Sequence, residues 1–272
     1  MKEDIVRQIC ERLSHDVQGL SLQFWRSIDE VGVRYVVVDD LLAEALARRI
    51  RAQFPPDNEM RLMDSFRERK YTSKSFDKFD PPLADITFAI QDPRVMKVVE
   101  DITGIQKQSL DASLYAGDPS AKGPGHFLGP HIDNSHDASR RYYRTLNLLY
   151  YVTPDWSLDC GGNLELWDRE VKRHTTIVSK FNRLVIMETN PWSWHLVSEI
   201  NVDRLRYSAS NYYFSRRSPT EQEYSNITAF SARPEQKPRQ TFAWADDRLR
   251  QAECRVVPGG FVRKDVYKGP PQ

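Results

Sequence analysis

Gly129-Pro130-His131-Ile132-Asp133 is a bend that leads into a short extended segment, and its reading decides the fold. Residues two apart in a strand share a face, so His131 and Asp133 both turn to one side. A buried imidazole beside a buried carboxylate needs a reason, and a metal ion supplies one. The third ligand must approach from another direction, hence from another part of the chain. His195 fits that part. It follows the apolar run Arg183–Glu188 and the turn Thr189-Asn190-Pro191, and it is embedded in Trp192-Ser193-Trp194. Two His and one carboxylate form the ligand inventory of a facial triad that holds non-haem iron(II) and leaves positions open for chemistry.

The other histidines are weaker candidates. His15 lies in an N-terminal helical pattern, His174 in a polar hairpin-like stretch, and His136 in the charged loop NSHDASRRYYR. An isolated H-x-D is a weak signal, and a lone buried His is more often a hydrogen-bonded core residue. Weight comes only from the order of features along the chain.

That order begins near Gln106, where short strand-like runs start to recur: Ser109–Tyr115, Thr145–Val152, Asn163–Trp167, His174–Ile177, Arg183–Glu188, His195–Val197 and Tyr207–Phe214. Gly, Pro, Asn and Asp clusters separate them, the texture of a sandwich or jelly roll. The preceding part is expected to be helical over 2–14, over Leu41–Phe54 with Asp39 and Asp40 as N-caps, and from Asp92-Pro93 to about Ile102. Residues 60–82 are charged, aromatic and weakly periodic, an irregular lobe and a possible lid. Asp118–Gly129 and Asn134–Arg144 read as loops flanking the metal pair. Glu235–Val257 is expected to be a C-terminal helix. The fold expected is mainly β with flanking helices, in a single catalytic domain over 1–272: a helical or lid region 1–104, a jelly-roll core 105–216 and a helical extension 217–272.

Arg206-Tyr207-Ser208 places Arg206 and Ser208 on one strand face. An inward Arg is costly unless it meets an anion, and its fork of donors with a nearby hydroxyl matches a carboxylate. Alone, Arg206 is as well explained by an internal salt bridge. In sequence, Tyr115-x-Gly117, His131-x-Asp133, Gly161-Gly162-x-Leu164-x-Leu166, Arg183-Leu184-Val185-Ile186, His195 and Arg206-x-Ser208 resemble the 2-oxoglutarate/iron(II) dioxygenase superfamily, in its prolyl-4-hydroxylase-like branch. The resemblance covers roughly 105–216.

It implies a double-stranded β-helix, with Fe(II) as cofactor and 2-oxoglutarate and O2 as co-substrates. It further implies that His131, Asp133 and His195 are the catalytic metal ligands and that Arg206 and Ser208 hold the far carboxylate of 2-oxoglutarate, with Tyr115 assisting. Related halogenases lack the carboxylate that Asp133 retains, so hydroxylation is implied, or desaturation or ring chemistry. Substrate contacts are nominated only by neighbourhood: Asn134, Arg144, Trp192, Trp194 and Tyr213.

The bulk numbers agree with such a role. With 39 basic and 38 acidic residues the charge is balanced, so no overall field favours nucleic acid or a membrane surface. Three separated cysteines argue against a disulfide framework. The charged N-terminus and the lack of long apolar runs suggest a cytoplasmic chain. The partner expected is a small-molecule metabolite. A peptidyl-prolyl substrate is the alternative, and a non-oxygenase jelly-roll metal protein, possibly with zinc, is another. The last leaves Arg206-x-Ser208 unexplained.

Overall fold

The computed structural model describes residues 1–72, 81–111 and 119–236. Thirteen strands form one continuous curled antiparallel sheet: β1 (Tyr35–Val38), β2 (Arg61–Asp64), β3 (Glu68–Thr72), β4 (Ser109–Leu110), β5 (Pro119–Lys122), β6 (Phe127–Ile132), β7 (Tyr143–Tyr151), β8 (Leu164–Trp167), β9 (His174–Ile177), β10 (Arg183–Glu188), β11 (His195–Val197), β12 (Arg206–Ser215) and β13 (Ala229–Phe230). The spatial order is β1-β10-β7-β12-β5-β3-β6-β11-β8-β9, with β13 on β6, β2 on β3 and β4 on β12. The two ends of the strip curl over one another as a jelly roll.

Strand alternation builds two apolar layers. On β10, Leu184 and Ile186 face outward to the helices, whereas Val185 and Met187 face inward. On β7, Tyr150 joins the outer layer and Tyr151 the inner one. Helices α1 (Lys2–Ser14), α2 (Val17–Arg26), α4 (Glu44–Ala52), α5 (Pro81–Ile90) and α6 (Pro93–Thr103) surround the outer layer, and α3 (Ile28–Val31) leads into β1. Ile5, Ile9 and Leu13 recur at helical spacing and are fully buried. Helix α6 starts on Pro93, is capped by the Asp92 side chain and stops at left-handed Gly104. No helix among the described residues is long and apolar enough to cross a membrane.

Four expectations need correction. Helix α4 begins at Glu44, not Leu41, and has no side-chain cap. Asp39 is instead engaged by the Arg183 guanidinium, with Nε and Nη2 at 2.6 and 2.9 Å, while Asp40 has a left-handed backbone, φ 53°. The irregular lobe is in part the β2–β3 hairpin, joined to β5 and β6. The loop expected over 118–129 contains β5 and the first half of β6. In the first core run β4 covers Ser109–Leu110 and has ended at Asp111, and residues 112–115 lie outside the described residues. Tyr115, residues 73–80 and the C-terminal helix from 237 onward lie outside the described residues.

Candidate metal centre

β6 and β11 are neighbours, and His131 pairs directly with His195 across them. Their rings lie 4.0 Å apart, centroid to centroid. Asp133, just past β6, completes the cluster: its Oδ1 is 3.7 Å from His131 Nε2 and its Oδ2 is 3.7 Å from His195 Nε2. One ligand atom from each residue lies within 4.8 Å of the others.

The backbone sets the histidine tautomers. His131 Nδ1 lies 2.9 Å from the Gly129 carbonyl and His195 Nδ1 3.0 Å from the Ser193 carbonyl. A carbonyl only accepts, so both Nδ1 atoms carry the proton and both Nε2 lone pairs face Asp133. Arg144, 2% exposed, approaches Asp133 Oδ2 at 3.3 Å. Its geometry is that of a charge contact, because Oδ2 accepts no hydrogen bond although it is buried. A buried carboxylate with one oxygen lacking a donor, and each oxygen facing an imidazole Nε2, fits a divalent cation.

Electrostatics agree. Burial would raise the Asp133 pKa, but Arg144 and the two imidazoles outweigh it and hold the group at about 2. Burial, reinforced by His195, pushes His131 down to about 3. The metal-free site therefore sets an ionised Asp133 beside a neutral His131 at any ordinary pH. The linkage sign follows. The unfolded chain protonates His131 near 6.5 and the folded chain only near 3, so stability falls as pH drops through that window. Asp133 adds a loss of the same sign between 3.8 and about 2. The melting temperature of metal-free protein should fall steadily below about pH 6.5. His131→Asn should flatten that slope; an unchanged slope would assign it to another group.

A cavity of about 90 Å³ runs from His131 and His195 to Arg206 and Ser208. Alternation on β12 turns Arg206, Ser208, Ser210 and Tyr212 into it. Arg206, 2% exposed, donates from Nη1 to Ser179 Oγ at 3.0 Å, and its Nη2 is 3.5 Å from Ser208 Oγ. Its Nε has no partner. No carboxylate among the described residues lies within ion-pairing distance of this guanidinium. Among the described residues, no acid answers its charge.

The glycine pair positions this arginine. Gly161 and Gly162 have φ of 69° and 64°. A Cβ on Gly161 would sit 1.9 Å from the Glu199 carbonyl oxygen, and one on Gly162 would press on Ile200 and on Arg206 Cδ at 3.2 Å. The Gly162 carbonyl also accepts from Ser179 Oγ, the hydroxyl that receives Arg206. Gly161→Ala should lose on the order of 3 kcal/mol in denaturant unfolding; a loss under about 0.5 kcal/mol would contradict the contact.

Other nominated residues are placed differently. Arg144 reaches the cluster only through Asp133, lying over the Tyr212 ring at 4.0 Å. Asn134 donates to the His136 carbonyl in the loop. Trp194 packs with Trp167, Val171 and Leu196 on the far side of the strand, and Trp192 lies under Arg169. Tyr213 is a correction. It points into the helix-side core and donates its hydroxyl to the Ile90 carbonyl; its neighbour Tyr212 faces the cavity, because alternate residues take opposite faces. Sequence reading also missed Tyr151, whose ring lies 5.1 Å from the Arg206 guanidinium carbon, as well as Lys122, which lines the cavity wall together with Lys70 of the charged lobe. Phe230 was missed too: it pairs with His131 across β13 and β6 and stacks on its ring at 5.6 Å.

A curled antiparallel jelly roll with a His-Asp-His cluster at one end of an inner cavity is an arrangement that could hold a single metal ion. Residues 115–214 match the family model of the 2OG-Fe(II) oxygenase superfamily. Fe(II), 2-oxoglutarate and O2 are what this family uses.

Among curated proteins, "Prolyl 3-hydroxylase OGFOD1" of Mus musculus is 30% identical over 77 residues, 26% of this chain and 14% of that protein. The chain thus matches only a small part of that relative's length. Among solved structures, a Trichoplax adhaerens prolyl hydroxylase bound to a hypoxia-inducible-factor peptide aligns with TM-score 0.51 and 18% identity, covering 74% of this chain and 91% of that one. A Pseudomonas putida prolyl-4-hydroxylase gives 0.52 and 15%, covering 72% and 98%. The carbocyclase SnoK of nogalamycin biosynthesis gives 0.52 and 13%, covering 73% and 85%. At these identities the likeness establishes a shared fold.

Proposed function

We propose that this protein is an Fe(II)- and 2-oxoglutarate-dependent dioxygenase that hydroxylates an unactivated C–H bond of a small-molecule metabolite, acting as one catalytic domain. The observation that carries the reading is the cavity joining the His131–Asp133–His195 cluster to the unanswered charge of Arg206. His131, Asp133 and His195 would hold the iron, and Arg206 with Ser208 the far carboxylate of 2-oxoglutarate. Bound iron supplies the O2 activation that couples oxidative decarboxylation of 2-oxoglutarate, to succinate and CO2, to oxidation of the substrate.

The chain's own groups orient and exclude. The Gly129 and Ser193 carbonyls fix the imidazoles, Arg144 keeps Asp133 ionised, and Leu128, Leu149, Leu164 and Val197 give the cavity dry walls. Beside the metal cluster, Phe230 over His131 and Arg67 over Phe230, at 5.4 Å, make an aromatic, cationic wall suited to a small ligand. The 30% match to a prolyl 3-hydroxylase favours a second reading, a peptidyl-prolyl substrate.

Anaerobic protein is loaded with Fe(II) and 2-oxoglutarate and then exposed to air, with metabolite extracts or prolyl peptides present. Succinate stimulated by the extracts supports the first reading, and a peptide gaining one oxygen supports the second. Tight zinc with no 2-oxoglutarate turnover would sink both.

A further inference from the structure

Three strands lay a ladder of polar side chains along the inner end of the cavity. β5 pairs with β12 so that Lys122 stands opposite Arg206 and Ser120 opposite Ser208, with the two serine hydroxyls 3.2 Å apart. β3 continues the ladder, with Thr72 opposite Ser120. One rung is made of hydroxyls, Thr72, Ser120 and Ser208. The neighbouring positions carry cations, Lys70, Lys122 and Arg206, and all six side chains line the cavity.

Like charges directly opposite one another in a sheet are destabilising. Lys70 is ion-paired with Glu68 at 2.8 Å. Lys122 is 4% exposed and, among the described residues, has no hydrogen bond and no acid within ion-pairing distance. A lysine held this way serves no packing purpose that leucine or methionine would not serve better.

We propose that Lys122 is a second cationic anchor for the far carboxylate of the co-substrate, standing opposite Arg206 across the β5–β12 rung. The inference rests on the 2-oxoglutarate reading above and adds to it a residue, a charge and a proton. Without an anion in the cavity, burial and the charges of Arg206 and Lys70 disfavour the ammonium form, and only Glu68 opposes them. Among the described residues, the other polar groups around Arg206 and Lys122, the Tyr151 phenol, the Ser179 hydroxyl and the three hydroxyls of the rung, carry no charge at ordinary pH.

A carboxylate placed between Lys122 and Arg206 reverses the balance. Lys122 then takes one proton from solvent as the dicarboxylate binds. The sign is fixed: a group protonated in the complex and neutral in the free protein makes binding weaken as pH rises.

The test is calorimetric and independent of turnover. 2-Oxoglutarate is titrated anaerobically into Fe(II)-loaded protein at about pH 8, in HEPES and in Tris, whose ionisation enthalpies differ. Wild type should show buffer-dependent heats that correspond to uptake of about one proton. Lys122→Met should bind on the order of 10- to 100-fold more weakly with no uptake, and its ligand-free melting temperature should not fall. Lys122→Arg, permanently charged, should bind within a few-fold of wild type, again without uptake. Buffer-independent heats in wild type, or uptake that persists in either variant, overturn the role of Lys122 alone. A wild type that binds no 2-oxoglutarate at all overturns both this role and the reading beneath it.

Discussion

His195→Gln should leave a folded protein that no longer holds iron and forms succinate at under about 1% of the wild-type rate. Losing a partner behind a metal ligand already costs 10- to 100-fold, and losing the ligand itself costs more. His195 is the informative choice because its removal strands no charge. Asp133→Ala should abolish turnover as well, but it also leaves Arg144 buried beneath Tyr212 with no acid to answer it. Arg144 Nε and Nη2 already lack partners. Removing one member of a buried ion pair costs about 3–5 kcal/mol. Asp133→Ala should therefore melt markedly lower than wild type and His195→Gln should not. Elemental analysis, a thermal melt and a succinate assay separate the two effects. Stoichiometric iron retained in His195→Gln would remove this residue from the ligand set.

Arg206→Met is expected to raise the KM for 2-oxoglutarate by roughly 30- to 1,000-fold, the range for truncating one member of a buried charge pair. If the arginine serves only to hold the co-substrate, kcat at saturating 2-oxoglutarate should fall far less. The ligand-free protein should be no less stable, because the guanidinium is buried without a carboxylate and methionine fills much of its volume. A variant with unchanged KM and lowered stability would make Arg206 a structural residue held by Ser179.

The parts of this fold legible in the sequence are those whose burial is apolar. β10 carries large hydrophobic residues on both faces, Leu184 and Ile186 towards the helices and Val185 and Met187 inward, and its bounds match the sequence reading. β3 and β5 sit in the same sheet but turn lysine, serine and threonine into a polar cavity. Their sequences therefore look like solvated loop, and the Gly123-Pro124-Gly125 turn strengthens that impression. Lys122 was illegible for the same reason.

The metal cluster and Arg206 could be read because their order along the chain is distinctive. The tyrosine near Arg206 could not: Tyr150-Tyr151 offers two adjacent candidates, and only the strand's parity places Tyr151 inward. Parity likewise separates Tyr212 from Tyr213. Asp39 failed as a helix cap because a guanidinium from β10, distant in sequence, outcompetes local backbone donors.

The direct pairing of His131 with His195 has a dynamic consequence. β11 is three residues long, and its register on β6 shifts between His195 and Val197. Sliding one strand past the other by a single residue would turn every side chain to the opposite face and scatter the ligands. A cation bound by both histidines would work as a rivet through this short ladder, tying slippage to metal loss. Amide hydrogen exchange in β6 and β11 should slow when metal is loaded, while exchange in β1 and β10 changes little.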